Sequence, residues 1–143
     1  MNQVAPMLFV GGQFHQSQWP ELYQIGIRAV LNLQAEREDR FSGPPPVRSL
    51  RLLVPDFHAP TITQISEGVA FIAAAHAERL PVLVHCHAGV GRAPLIAAAY
   101  LVAVHDMHYR SAIAHLRAAR PIIAPNPRQI ARLREYELWQ RRA

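Results

Sequence analysis

Short apolar runs alternate along the chain with longer segments in which apolar residues recur every three or four positions, the signature of strands interleaved with helices. Met7 to Val10 reads as a short strand closed by Gly11-Gly12, and Ser17 is placed to cap a short helix reaching about Ile25. Arg28 to Leu33 and Leu50 to Val54 read as further strands. Between them, Ser42-Gly43-Pro44-Pro45-Pro46 supports neither regular structure. Thr61 or Thr63 can cap a helix in which Ile62, Ile65, Val69, Ile72 and His76 share a face, ending near Leu80-Pro81. The continuous apolar run Val82 to His85 is a strand buried on both faces. Helices follow from about Arg92 to His105, with Pro94 tolerated in the first turn, and from Tyr109 to Ala119. Pro121 and Pro125 break the chain. A last helix starts at Asn126, with Gln129 placed for a capping box. The expected fold is α/β, a central and mostly parallel sheet of about four to five strands flanked by helices, in one domain over residues 1–143.

Composition narrows the class without deciding the chemistry. Of 143 residues half are hydrophobic and 17% are charged, which is a folded globular chain and not a disordered one. The net charge of +5 favours anionic ligands but does not choose among them. A solitary cysteine excludes an intramolecular disulfide and suits a reducing compartment. The start Met1-Asn2-Gln3-Val4-Ala5-Pro6 does not resemble a signal peptide, and the apolar run Ala93 to Val104 is shorter than the roughly 20 residues of a membrane span. The final Gln140-Arg141-Arg142-Ala143 offers no prenylation cysteine. The expectation is a cytoplasmic, monomeric protein without a membrane anchor and without a nucleic-acid partner.

The chemistry concentrates in His85-Cys86-His87-Ala88-Gly89-Val90-Gly91-Arg92-Ala93-Pro94, where the cysteine is followed six positions on by an arginine across a glycine-rich loop. A cysteine acts as a nucleophile only as thiolate. A helix N-terminus, a ring of backbone N–H groups and a guanidinium each favour that form. The same three features bind a phosphate dianion. If the strands ending at Val54 and His85 are parallel, joined by a right-handed crossover, their carboxyl ends open on one sheet edge. Asp56, in a loop restricted by Pro55 and Pro60, then faces Cys86.

Cys86 to Arg92 fits the C-x5-R signature and resembles the cysteine-based protein tyrosine phosphatase superfamily. The order of parts is similar to its compact dual-specificity branch, in which the general acid precedes the nucleophile by the spacing that separates Asp56 from Cys86. Val30-Leu31-Asn32-Leu33, Arg120-Pro121 and Pro125-Asn126 match further pieces of that pattern. The resemblance implies that Cys86 attacks phosphorus to form a phosphocysteine and that Arg92 grips two phosphate oxygens, which lysine cannot do. It implies that the backbone of His87, Ala88, Gly89, Val90, Gly91 and Arg92 binds the phosphate, and that Asp56 protonates the leaving oxygen and later activates water. No metal and no cofactor is required. The expected substrate is a phosphorylated protein or another phosphomonoester, phosphotyrosine first and phosphoserine or phosphothreonine in addition.

One position departs from the pattern. Most members carry serine or threonine after the arginine, where the hydroxyl hydrogen-bonds the sulfur and eases its departure. Here that residue is Ala93, as in the phosphatases of regenerating liver. Losing such a bond costs about 1 to 3 kcal/mol, which slows phosphoenzyme breakdown by roughly one to two orders of magnitude.

Three functions fit these residues: a protein phosphatase, a phosphoinositide or inositol phosphate phosphatase, and a phosphate-dependent binding module that turns over slowly. The loop residues His87, Ala88 and Val90 include no lysine, which disfavours the second, and Ala93 favours the third. A sulfur-transfer enzyme fits less well, having no need of an acid at Asp56. Adjacent His85, Cys86 and His87 cannot converge on one metal ion. His85 is expected to make a buried hydrogen bond that holds the cysteine loop, His58 to line the cleft, and Asn126 to cap its helix, tether the cysteine loop, or both.

Overall fold

In the computed structural model, which describes residues 1–142, five strands form one sheet in the order β1-β2-β5-β3-β4. They are β1 (Asn2–Ala5), β2 (Leu8–Gly11), β3 (Ala29–Gln34), β4 (Arg48–Val54) and β5 (Val82–His85). The pairs β2·β5, β5·β3 and β3·β4 are parallel, and only β1 runs antiparallel to its neighbour. The apolar runs explain the interior places. Every residue of β3 and β5 is buried, as a parallel strand covered on both faces requires, whereas β4 at the edge leaves several residues exposed.

Alternation along the strands divides the core in two. Ala29, Leu31, Leu33, Val82 and Val84 face the larger cluster, shared with α2 (Ile62–Ala77), α3 (Arg92–Val104), α4 (Tyr109–Ala119) and α5 (Pro127–Arg142). Val30 and Leu83 face the other side, where Phe14, Ile27 and Trp19 of α1 (Trp19–Gln24) close a smaller cluster. Eleven consecutive residues of α3, Arg92 to Val102, are buried, so this helix is the hub. Gly68 lets α2 approach it, since a Cβ there would lie 2.9 Å from Ile96.

β1 carries no apolar run: only Val4 is buried, and the strand exists because it pairs along β2 after a turn at Met7, whose φ is 56°. Ser17 is no helix cap but lies inside a 3-10 turn, Gln16–Gln18, capped by His15, whose Nδ1 accepts from the Ser17 N–H at 3.1 Å. Of the two candidate threonines, Thr61 caps α2: its Oγ1 accepts from Gln64 N–H at 3.0 Å, and Gln64 Oε1 accepts from Thr61 N–H at 2.9 Å. The predicted box at the start of α5 forms as well, with both Asn126–Gln129 bonds at 2.9 Å. Among the described residues no helix is long and apolar enough to cross a membrane.

Parallel register brings three strand ends together, Gln34 opposite Val54 and Asn32 opposite His85. The loops after β3, β4 and β5 therefore open on one edge, where a parallel sheet binds its ligands.

Candidate active site

Cys86 leaves the end of β5 as a free thiol, 3% exposed. The five residues after it turn into α3, and their carbonyls are all engaged from behind. Gln13 N–H donates to His87 O at 2.8 Å and Ala124 N–H to Val90 O at 2.9 Å. Arg120 donates from Nη2 to Ala88 O at 3.0 Å and from Nε to Gly89 O at 2.9 Å, while its Nη1 reaches Asn2 Oδ1 at 2.8 Å. A trans peptide points its N–H opposite to its carbonyl, so the N–H groups of Ala88 through Gly91 turn inward, toward the sulfur. The result is an anion nest that continues into the positive end of α3. Gly89 is required at its position: φ is +68°, and a Cβ would stand 2.6 Å from both the Gly11 carbonyl carbon and Arg120 Nη2.

A cavity of about 350 Å³ opens above the loop. Cys86, His87, Ala88, Val90, Gly91, Arg92 and Asp56 line it together, with Asn126 and Gln129 beside them. Gly89 is off the lining, because that residue backs onto β2 and Arg120. His58 does not line it either: its Nδ1 turns back to Asp56 O at 3.0 Å, and Phe57, 76% exposed, takes the place at the mouth. Ala93 is fully buried in the first turn of α3.

Arg92, 1% exposed, is fixed on one face by Glu36. Its Nη1 and Nη2 donate to the two carboxylate oxygens at 2.7 and 2.9 Å, and Nη1 also donates to Val54 O at 2.7 Å. Asp56 Oδ1 stands 3.3 Å from Nη2. Arg92 Nε is buried and has no partner among the described residues. Burial pushes the guanidinium pKa down, but the Glu36 hydrogen bond and the charge of Asp56 outweigh it and leave it raised. The Arg92 hydrogen bond in turn lowers Glu36 from its ordinary 4.5 to about 2.

Glu36 is the functional residue that the sequence pattern misses, being one charge in the polar run Glu36-Arg37-Glu38-Asp39-Arg40. Its loop is built by polar side chains that look misplaced in apolar strands. Buried Asn32 donates to Arg37 O at 2.8 Å, and Arg51 donates to Gln34 O at 2.9 Å and Ala35 O at 2.7 Å. An asparagine and a glutamine inside a fully buried strand were the available signal. His85 does make its buried bond, Nε2 to Asp39 Oδ2 at 2.8 Å, and thereby ties this loop down instead of the cysteine loop. Asn126 likewise caps α5 but tethers the Asp56 loop, donating from Nδ2 to Phe57 O at 2.8 Å.

The chain is similar to known proteins over nearly its whole length. Residues 8–138 match the family described as dual specificity phosphatase, catalytic domain. Dual specificity protein phosphatase 12 of Homo sapiens is 37% identical over 125 residues, covering 85% of this chain and 36% of that protein. The chain spans little more than a third of the curated relatives that it matches. Among solved structures, human DUSP28 superposes with a TM-score of 0.87 at 26% identity, over the full length of both chains. PTPMT1 in complex with PI(5)P gives a TM-score of 0.87 at 27% identity, over 99% of this chain and 97% of that one. A matched family across nearly the whole length, the shared fold and a cysteine loop with an arginine clamp lead to one assignment: the chain belongs to the dual specificity phosphatase catalytic domain family.

Proposed function

We propose that this protein is a cysteine-dependent phosphomonoesterase, acting on phosphotyrosine and on phosphoserine or phosphothreonine in proteins. It works as a monomeric, cytoplasmic catalytic domain, in keeping with a solitary free thiol. One observation carries the reading: Arg92 offers a buried Nε without a partner beside Cys86, while its other face is saturated by Glu36 and Val54. A guanidinium held by one face and left unsatisfied on the other is a fork waiting for a phosphate.

In the first step Cys86 Sγ attacks phosphorus in line, the phosphorus–oxygen bond to the leaving group breaks, and Asp56 gives its proton to the departing oxygen. Arg92 and the N–H groups of the loop hold the equatorial oxygens where charge spreads in the transition state. In the second step Asp56, now carboxylate, takes a proton from water as that water attacks the phosphocysteine, and the thiolate leaves. Phe57 at the mouth and Val90 in the wall give an apolar lining that suits an aromatic phosphate ester.

The test compares kcat/KM for phosphotyrosine peptides, phosphoserine peptides and a phosphoinositide in the wild type, Cys86→Ser and Asp56→Asn. Peptide hydrolysis that Cys86→Ser abolishes supports the proposal. A strong preference for the phosphoinositide would replace the substrate class, and wild-type inactivity equal to Cys86→Ser on all three would overturn the catalytic reading.

A further inference from the structure

Three side chains spaced by three along the start of α5, Asn126, Gln129 and Arg132, lie on one helix face. Each donates to a carbonyl of the Asp56 loop. Asn126 Nδ2 reaches Phe57 O at 2.8 Å, Gln129 Nε2 reaches His58 O at 3.2 Å, and Arg132 Nη1 reaches Pro60 O at 2.7 Å. The loop supplies part of its own support: Phe57 N–H donates to Asp56 Oδ1 at 3.0 Å. His58 N–H donates to Pro55 O at 3.1 Å, the His58 ring touches Asp56 O, and Phe57 sits at φ 64°, a conformation that an aromatic residue does not adopt unaided.

The capping box explains why the amides face as they do. The side-chain oxygens of Asn126 and Gln129 are consumed by each other's backbone N–H groups, so both NH2 groups are turned outward, toward the loop. The helix that presents them is anchored in the core by Leu133 and Tyr136. Gln129, 3% exposed, also abuts the cysteine loop: a Cβ on Gly91 would lie 2.7 Å from its Oε1. One side chain thus spans the segment that carries the nucleophile and the segment that carries the carboxylic acid.

We infer that Asn126, Gln129 and Arg132 are positioning residues that clasp the Asp56 loop over the cysteine loop and so set the general acid in its working place before substrate arrives. The inference rests on the assignment of Asp56 as general acid. The three side chains bond the loop that carries Asp56 and not the carboxyl group itself, while Asn126 and Gln129 also stand in the cavity wall.

Leaving-group dependence reads this directly, since a phosphate ester with a poor leaving group needs the acid and one with a good leaving group needs it far less. The measured quantity is the ratio of kcat/KM for p-nitrophenyl phosphate to that for phenyl phosphate. Asp56→Asn should raise the ratio strongly. Arg132→Met, which keeps the stem packing, and Gln129→Glu, which keeps the capping oxygen, should each raise it by about threefold to tenfold, and Arg132→Lys should return it toward wild type. A raised ratio in Asp56→Asn with no change in Arg132→Met or Gln129→Glu overturns the clasp and leaves the acid in place. An unchanged ratio in Asp56→Asn removes the acid assignment and the clasp with it. Should Gln129→Glu fail to fold, Arg132→Met at the half-buried end of the clasp decides alone.

Discussion

Replacing Glu36 by glutamine removes one charge and almost no volume from the residue that aims Arg92. In the wild type both terminal nitrogens of the guanidinium are held by the carboxylate, at 2.7 and 2.9 Å. In Glu36→Gln one of those contacts survives and the other becomes two donors facing each other. Breaking a fully buried ion pair costs about 3 to 5 kcal/mol. Glu36 is 45% exposed, however, so water takes over part of its role and the expected loss falls to about 1 to 2 kcal/mol. Freed on that side, Arg92 turns toward Asp56, already 3.3 Å away, and away from the phosphate position. That energy corresponds to a fall of about fivefold to thirtyfold in kcat/KM, carried mostly by kcat because the fork grips hardest in the transition state. Steady-state kinetics with a phosphotyrosine peptide measures it, and Glu38→Gln is the control. Glu38 is 77% exposed and its one ion pair among the described residues is with Arg51, at 3.5 Å, so its loss should leave kcat/KM where it was. A Glu36→Gln enzyme within twofold of wild type would refute the idea that this carboxylate aims the clamp.

The same carboxylate sets a pH dependence. Its pKa is lowered on folding, so its stabilising contribution is complete above the ordinary value of 4.5 and is lost as pH falls through about 2; the Tm gap between wild type and Glu36→Gln should hold through the mildly acidic range and close only there. Gly89→Ala forces a Cβ to 2.6 Å from the Gly11 backbone at a positive φ, and should lower stability by about 2 kcal/mol or more while abolishing binding of vanadate, checked by thermal melting and titration. Ala93 leaves no hydroxyl in the first turn of α3, so stopped-flow with p-nitrophenyl phosphate should give a burst and then a slow steady state. Ala93→Ser should raise the steady rate by roughly tenfold, and linear release from the first turnover in the wild type would count against it.

The central strands were legible because burial on both faces leaves nothing but apolar residues between Val82 and Val84 or between Val30 and Leu31. The capping box at the start of α5 was legible for a different reason, since Asn126 and Gln129 lie three residues apart and the chemistry is complete within the segment. β1 was not, because Asn2 to Ala5 has one buried side chain and owes its strand to pairing with a neighbour. Glu36 was hidden among similar charges, its value set by Asn32 and Arg51, which fold the loop from a distance. The cap at Asn126 was legible but its tether was not, for its NH2 group meets a carbonyl 69 positions away in the chain. Local hydrogen bonding is written in short windows of sequence, and aim across the fold is not.

The strand that delivers Cys86 is laddered on both sides, by β2 and by β3, and runs on through a strapped loop into the most enclosed helix of the molecule. Amides in such a place exchange with solvent only when the whole domain opens, whereas those of an exposed loop exchange through small local openings. Hydrogen exchange should therefore divide the site into two time scales, a slow nucleophile and its cradle beneath faster segments at 35–41 and 55–60. The cradle is then the last part of the site to open, and the layer above it the first.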